Sequence, residues 1–302
     1  MNSYHVPVLL KESVDALVTD ENGVYLDLTF GGGGHSAEIL NRLSNEGKLY
    51  AFDQDDEALA NVLNDKRVKF VKSNFKYHRR FLKYYNEPHV DGVLADLGIS
   101  SHQIDVDYRG FSFRFHGELD MRMSTGIKNK ASDVLNTYPE EKLQRVFWDY
   151  GELKQGRKLA AAVVSRRKQM PFDRIQDFVV FLDAFIRSQP AKFMAKVFQA
   201  LRIEVNGEMD ALKKMLTDLL FVLKPGSRVV MISYHSLEDR LVKNFFKTGN
   251  IEGNLIKDDF GNVLNPLKEV NRKIIIPNDE EIARNNRSRS AKMRIAEFVG
   301  LK

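Results

Sequence analysis

The sequence predicts an α/β fold with a parallel sheet and an inserted all-helical domain. Strand-like and helix-like segments alternate through the first hundred residues, helical patterns alone run from Ala131 to about Phe198, and the alternation then resumes. The strongest local observation is Asp27-Leu-Thr-Phe-Gly31-Gly32-Gly33-Gly34-His35-Ser36. It follows the apolar run Val24–Leu26 and precedes a helical pattern at Ile39, Leu40 and Leu43. Strand, glycine turn and helix in that order make a nucleotide-binding loop, because a backbone without Cβ turns tightly and lets a ligand lie against it. A flexible glycine linker would not be framed by buried strands.

The elements follow in order. Lys48–Phe52 reads as the next strand and ends at Asp53, placed to accept hydrogen bonds from ribose hydroxyls. A Walker loop requires lysine where His35 stands, so that ligand class is rejected. Gly31, Gly33 and Ser36 come near the dinucleotide pattern, and S-adenosylmethionine fits the same crevice, so both remain open at this point. Asp56 to Leu63 reads as a helix, Val68–Val71 as a strand, Tyr77 to Tyr85 as a helix and Asp91–Asp96 as a buried strand. Asp105 to Gly117, rich in Gly, Arg and Phe, reads as a loop.

In the helical stretch, Asn136 or Thr137 is expected to cap Pro139–Trp148. Gly156 to Met170 forms a helix stopped by Pro171, and Asp173 is expected to cap Arg174–Ile186. Met209, Leu212, Met215, Leu216, Leu219 and Leu220 then mark an amphipathic helix, closed at Leu223–Gly226, before the strand Arg228–Ser233. Ser236-Leu-Glu-Asp239 predicts a capped helix, with Ser236 as the cap. Arg272–Ile276 and Arg294–Phe298 are expected as the last strands. The predicted domains are therefore 1–106 with 207–302, and a helical insertion over 107–206.

Composition narrows the function classes. Apolar residues make 43% and charged residues 29% of 302 residues, as in ordinary globular proteins. No run of 18 apolar residues predicts a membrane span, and the N-terminus lacks signal-peptide architecture. The absence of cysteine fits a reducing cytoplasm and excludes disulfides. The histidines show no metal-ligand spacing, so no metal is expected. A net charge of +5 tilts the partner toward an anion. Lys72–Tyr85 and Asn285–Arg294 concentrate the bases, the first interleaved with aromatics as for RNA contact, or equally as a helix with a solvated basic face.

An ordered series of motifs carries a resemblance over nearly the whole chain. It comprises His5–Glu12, Asp27–Ser36, Asp53-Gln-Asp55, Asp96–Gln103, Arg109–Phe113, Leu119–Met123, Phe198–Asn206, Ile232–Arg240 and Asn286–Ala291. The chain resembles the bacterial 16S (small-subunit) ribosomal RNA (cytosine-N4)-methyltransferase family, which is S-adenosylmethionine-dependent. The resemblance implies a class I methyltransferase, Rossmann-like sheet with an inserted helical domain. It implies S-adenosylmethionine as cofactor and 16S ribosomal RNA, within the 30S subunit, as partner, with N4 of a decoding-region cytidine as acceptor. Cofactor residues fall on Gly33, Gly34, His35, Asp53, Phe75, Asp96 and Gln103, with the Phe75 ring covering adenine. Departures from the family pattern (Leu119 after Glu118, Leu153 after Glu152, and Phe193–Lys196) lie in the helical insertion.

Asp96, at the end of the fourth strand, is the first candidate for ordering the acceptor amine, or alternatively a cofactor contact. His235 is a candidate base, set against a structural role beside the capped helix. Arg109, Arg122, Arg202 and Arg240 are candidate phosphate ligands. The Asn/Asp-Pro-Pro-aromatic motif of many amino methyltransferases is absent; Asp96-Leu-Gly-Ile99 stands there. A ribosome-assembly factor with little turnover and a dehydrogenase are the competing classes, the latter lacking any hydride-transfer His/Arg pair. Monomer and homodimer are both compatible with the sequence.

Overall fold

A computed structural model describes residues 7–271 and 273–300. The chain divides into two compact units, one built from the segment up to Gly98 and the segment from Met209 onward, the other from Ile99–Glu208.

The first unit is organised by one sheet. Its strands are β1 (Val24–Asp27), β2 (Lys48–Asp53), β3 (Val68–Lys72), β4 (Val90–Asp96), β5 (Leu223–Ser233), β6 (Leu267–Glu269) and β7 (Lys292–Phe298), in the order β3-β2-β1-β4-β5-β7-β6. β1 through β5 pair in parallel, whereas β7 runs antiparallel to β5 and β6. This is the class I methyltransferase arrangement expected from the resemblance. The central strands are apolar on both faces, as a covered parallel sheet requires: Tyr25, Leu26, Leu49, Phe52, Val93, Leu94, Val229 and Val230 are fully buried. The strand order reverses between β1 and β4, and the crevice beyond the carboxyl ends at such a switch point is where open α/β sheets bind ligands. Asp27, Asp53 and Asp96 are the last residues of β1, β2 and β4.

Several local expectations change. Residues 56–63 do not form an α-helix: Asp56–Asn61 is a 3-10 segment capped by Asp55, and the Asn61 side chain donates to the Gly31 carbonyl at 3.2 Å. The strand expected at Arg272–Ile276 is reduced to an isolated bridge between Ile275 and Met293; Arg272 lies outside the described residues, as do His5 and Val6 of the first motif. β5 begins at Leu223, so the Pro225-Gly226 pair lies within the strand segment.

The second unit is helical, with helices over Ser101–Asp105, Ala131–Thr137, Glu140–Arg145, Gly156–Arg167, Ile175–Leu182 and Pro190–Asn206. Its own core includes Phe147, Leu159, Phe172, Phe178, Val197 and Leu201. The ring pair Phe172–Phe178 meets edge-on at 5.3 Å. The buried Asn206 side chain accepts from Met123 N–H (2.7 Å) and donates to the Met121 carbonyl (2.8 Å), clasping the Leu119–Met123 segment. The helix expected over 139–148 breaks after Arg145 into a π-helical turn, Val146–Tyr150. Neither expected cap forms. Asn136 instead exchanges hydrogen bonds with both backbone groups of Phe172, and Thr137 donates to the Asp133 carbonyl. Asp173 does not cap its helix either; its carbonyl accepts from Leu119 N–H, and Arg174 occupies the cap position. No described helix is long and apolar enough to cross a membrane.

Candidate active site

The glycine turn joins β1 to the helix Gly34–Arg42 through Gly33, which takes a left-handed conformation at φ 76°. A Cβ on Gly33 would lie 2.9 Å from the Phe30 ring, and one on Gly34 would lie 2.2 Å from Pro7. Both positions therefore require glycine for packing, and the Gly33 N–H is already given to the Phe30 carbonyl at 2.7 Å. Gly31 is different. At φ 52°, a Cβ there would meet only the Thr29 carbonyl at 3.9 Å, so this part of the turn stays open above the sheet edge. The first turn of the following helix offers backbone N–H donors and the positive end of its dipole to an anion.

Asp53 fixes this turn from the neighbouring strand. Its Oδ2 accepts from Gly31 N–H at 2.7 Å and its Oδ1 from Asp55 N–H at 2.8 Å. The Gln54 backbone N–H also donates to this carboxylate, and of its roughly four lone-pair positions one remains for a hydroxyl donor. Phe75 follows directly beyond β3: Ser73 N–H donates to the Asp53 carbonyl, Asn74 Nδ2 donates to Gln54 Oε1 at 2.7 Å, and Phe75 opens the next turn, half-buried.

Asp96 is held from two sides, with a histidine ring nearby. Its backbone N–H donates to Thr29 Oγ1 (2.7 Å), and the Tyr234 hydroxyl donates to its Oδ1 (2.8 Å). His35 Nδ1 lies 3.9 Å from its Oδ2, while His35 Nε2 sits 3.1 Å from the Val8 carbonyl. Since a carbonyl only accepts, that contact requires the His35 proton on Nε2. Gly98, at φ 106°, keeps the Tyr234 ring uncovered on this side, since a Cβ would stand 3.4 Å from it. Asp27, fully buried, completes the group: its Oδ2 accepts from Ser36 Oγ at 2.6 Å and its Oδ1 from Thr29 N–H at 3.1 Å.

Burial of these carboxyls opposes their ionisation. It raises Asp27 and Asp53 to about 6 and Asp96 to about 7, with the neighbouring acids adding to the rise. The Tyr234 hydrogen bond acts against burial at Asp96, and burial beside Asp96 pushes the Tyr234 phenol well above its ordinary value. A carboxyl that titrates near neutrality can take or give a proton at working pH, which is the property required of a general base.

His235 is the N-terminal cap of the helix Ser236–Thr248: Glu238 N–H donates to its Nδ1 at 3.4 Å, and the Glu238 carboxylate accepts from the Tyr234 and His235 N–H groups. The expectation of Ser236 as cap is thereby corrected; it is the first helical residue. Gln103 lies in the second unit, where it forms a capping box with Ser100. Arg122 is paired bidentately with Asp120 and Arg202 with Glu208, both within the second unit. Arg109 donates to the Arg122 carbonyl at 3.2 Å, and Arg240 is exposed. Sequence reasoning omitted Gly31, Thr29 and Tyr234 as site residues. For Gly31 the signal was present in the glycine run; for Tyr234 none was, because its partner is 138 residues away.

The model of the MraW methylase family matches residues 2–299. "Ribosomal RNA small subunit methyltransferase H" of Parabacteroides distasonis is 57% identical over 298 residues, covering 98% of each chain. The protein of the same name from Bacteroides fragilis is 55% identical over 296 residues, 98% of this chain and 97% of that one. That of Flavobacterium johnsoniae is 52% identical over 297 residues, 98% of each.

Proposed function

Because the chain belongs to the MraW methylase family, we propose that it transfers a methyl group from S-adenosylmethionine to the N4 amino group of a decoding-region cytidine in 16S ribosomal RNA. The observation that carries the reading is Asp96: a carboxyl tuned to about 7, oriented by Tyr234, at the switch point of a sheet whose adjoining loop is open at Gly31. Relatives more than 50% identical are named as small-subunit ribosomal RNA methyltransferases, which supports the substrate class.

The residues present fit S-adenosylmethionine. Gly31 leaves room over the turn, the first turn of the helix Gly34–Arg42 suits a carboxylate, and Asp53 retains acceptor capacity for a ribose hydroxyl. Phe75, in the turn that follows β3, offers an apolar ring to the adenine. When bound, this group supplies an electrophilic methyl on a sulfonium. The chain then needs no nucleophile of its own; it must hold the acceptor nitrogen in line, an effect worth roughly 7–11 kcal/mol at its limit.

The cytosine amine is weakly nucleophilic because its lone pair is delocalised into the ring. Asp96 Oδ2, the oxygen that Tyr234 leaves unbonded, accepts an amine proton and so draws the lone pair toward the methyl. Tyr234 holds the carboxylate in place during that transfer. His235, engaged as a helix cap, anchors the segment that carries Tyr234. For Gln103 a cofactor role rests on the family resemblance alone, and Arg109, Arg122, Arg202 and Arg240 contribute charge toward RNA, Arg122 and Arg202 only if their carboxylate partners give way.

The test is transfer of labelled methyl to 30S subunits lacking the modification, run beside free 16S RNA, with nucleoside analysis. Label in N4-methylcytidine is expected. Label in another nucleoside would overturn the assigned acceptor, and cofactor binding without transfer to either RNA would favour an assembly role.

A further inference from the structure

A cavity of about 340 Å³ opens on the side of Tyr234, lined by Tyr234, His235, Ile276, Ile282, Arg289 and Lys292 among others. Its size falls at the small end of ligand sites, which run from roughly 300 to 1,000 Å³. The walls differ in character. Ile276, Pro277 and Ile282 are apolar, and Ile276 is 64% exposed, an unusual position for a large aliphatic side chain unless something covers it. Tyr234 and His235 form the polar floor.

The cations at the rim are not equivalent. Lys292 and Arg294 both reach Asp239, at 3.4 and 2.8 Å. Arg289 is exposed and has no carboxylate within ion-pair distance among the described residues. Its backbone is nevertheless fixed. It lies in the 3-10 turn Asn286–Ser290, whose Ser288 is fully buried and donates to the Asn285 carbonyl at 2.7 Å. An arginine with an anchored backbone and no carboxylate partner among the described residues, beside an apolar cleft, is suited to a phosphate that carries a flat apolar ring.

Tyr234 connects this cavity to the chemistry. Its ring lines the cavity while its hydroxyl is bonded to Asp96. A base lying in the cavity therefore rests against the residue that orients the proton acceptor. We propose that this cavity receives a nucleotide next to the acceptor, splayed out of the RNA, with Arg289 holding its flanking phosphate and Ile276 and Ile282 packing on its base. The inference rests on the RNA methyltransferase reading and adds to it the place where one nucleotide is held.

The experiment uses the full chain with isotope-labelled isoleucine methyl groups, titrated with cytidine 5′-monophosphate and separately with cytidine. The monophosphate is expected to shift the Ile276 and Ile282 signals and to bind about tenfold more tightly than the nucleoside. Arg289→Ala should bring the two affinities together, and Arg289→Lys should restore most of the difference. On RNA, Arg289→Ala should raise KM about tenfold with kcat little changed, and lower the salt dependence of binding by about one phosphate contact. Absence of shifts at Ile276 and Ile282 at millimolar monophosphate, or equal affinity in Arg289→Ala and the parent, would overturn the proposal. The two readings fail separately. Methyl transfer to RNA with no nucleotide at Ile276 removes the pocket alone, whereas nucleotide bound there without methyl transfer removes the enzymatic reading alone.

Discussion

The Tyr234 hydroxyl donates a 2.8 Å hydrogen bond to Asp96 Oδ1, linking the residue after β5 to the last residue of β4. The bond acts on a carboxyl that burial has raised to about 7, and it holds that value down, because a donor stabilises the ionised form. Tyr234→Phe should therefore raise the Asp96 pKa further. A charge-assisted bond of about 1.5–3 kcal/mol corresponds to roughly one to two pH units. The ascending limb of the pH–rate profile should move upward by that amount in Tyr234→Phe, with KM for S-adenosylmethionine nearly unchanged. A profile that coincides with the parent's would remove Tyr234 from the mechanism.

Asp53 should govern cofactor affinity. In the proposed contact, a ribose hydroxyl donates to its ionised form, and burial raises its pKa to about 6. Binding of S-adenosylmethionine should weaken as pH falls through 6, since protonation takes away an acceptor. Asp53→Ala should raise Kd by one to two orders of magnitude, an effect of about 1.5–3 kcal/mol. Calorimetric titration at pH 5 and pH 8 checks both; a Kd independent of pH would argue against ribose contact by Asp53.

The glycines should separate by function. Gly33→Ala places a methyl against the Phe30 ring at φ 76°, and should cost on the order of 1–3 kcal/mol in stability. Gly31→Ala also sits at positive φ but meets no side chain, so its loss should appear mainly in cofactor affinity. Thermal melts with and without S-adenosylmethionine distinguish the two. Equal loss of stability in both variants would contradict the assignment of Gly31 to the open side of the turn.

Asn206 should be structural within the helical unit. Asn206→Ala leaves the Met123 N–H and Met121 carbonyl unsatisfied in a buried place, at a cost of about 2–4 kcal/mol. Asn206→Asp keeps the acceptor for Met123 but loses the donor to Met121, and buries a charge. Both should melt earlier than the parent. A melting temperature unchanged in Asn206→Ala would show that the clasp contributes nothing.

The parts of the site that could be read from sequence are those whose residues sit close together in the chain. Asp27 through Ser36 bring strand, turn and helix together within ten residues, and Asp53 and Asp96 each end an apolar run that is itself diagnostic. The antiparallel β7 was legible as a strand but not in direction, because apolar alternation carries no polarity. Tyr234 was invisible as an orienting group, since its partner is brought near only by the pairing of β4 with β5. At the helix start, serine propensity pointed to Ser236, yet Glu238 reaches back two residues further and recruits the His235 ring instead. In segment 56–63, helical composition lost to the tie between Asn61 and the Gly31 carbonyl.

In the proposed mechanism Asp96 takes the proton from the acceptor amine. Single-turnover methyl transfer to 30S subunits, followed from pH 5.5 to 9 in the parent and in Asp96→Asn, tests it most directly. The parent rate should rise to a plateau with a midpoint near 7, while Asp96→Asn should be slower by about two to four orders of magnitude and insensitive to pH. Its thermal stability at pH 8 should match or exceed the parent's, because the amide removes a carboxylate whose ionisation burial opposes. A rate in Asp96→Asn within a few-fold of the parent, with the same dependence on pH, would contradict the account.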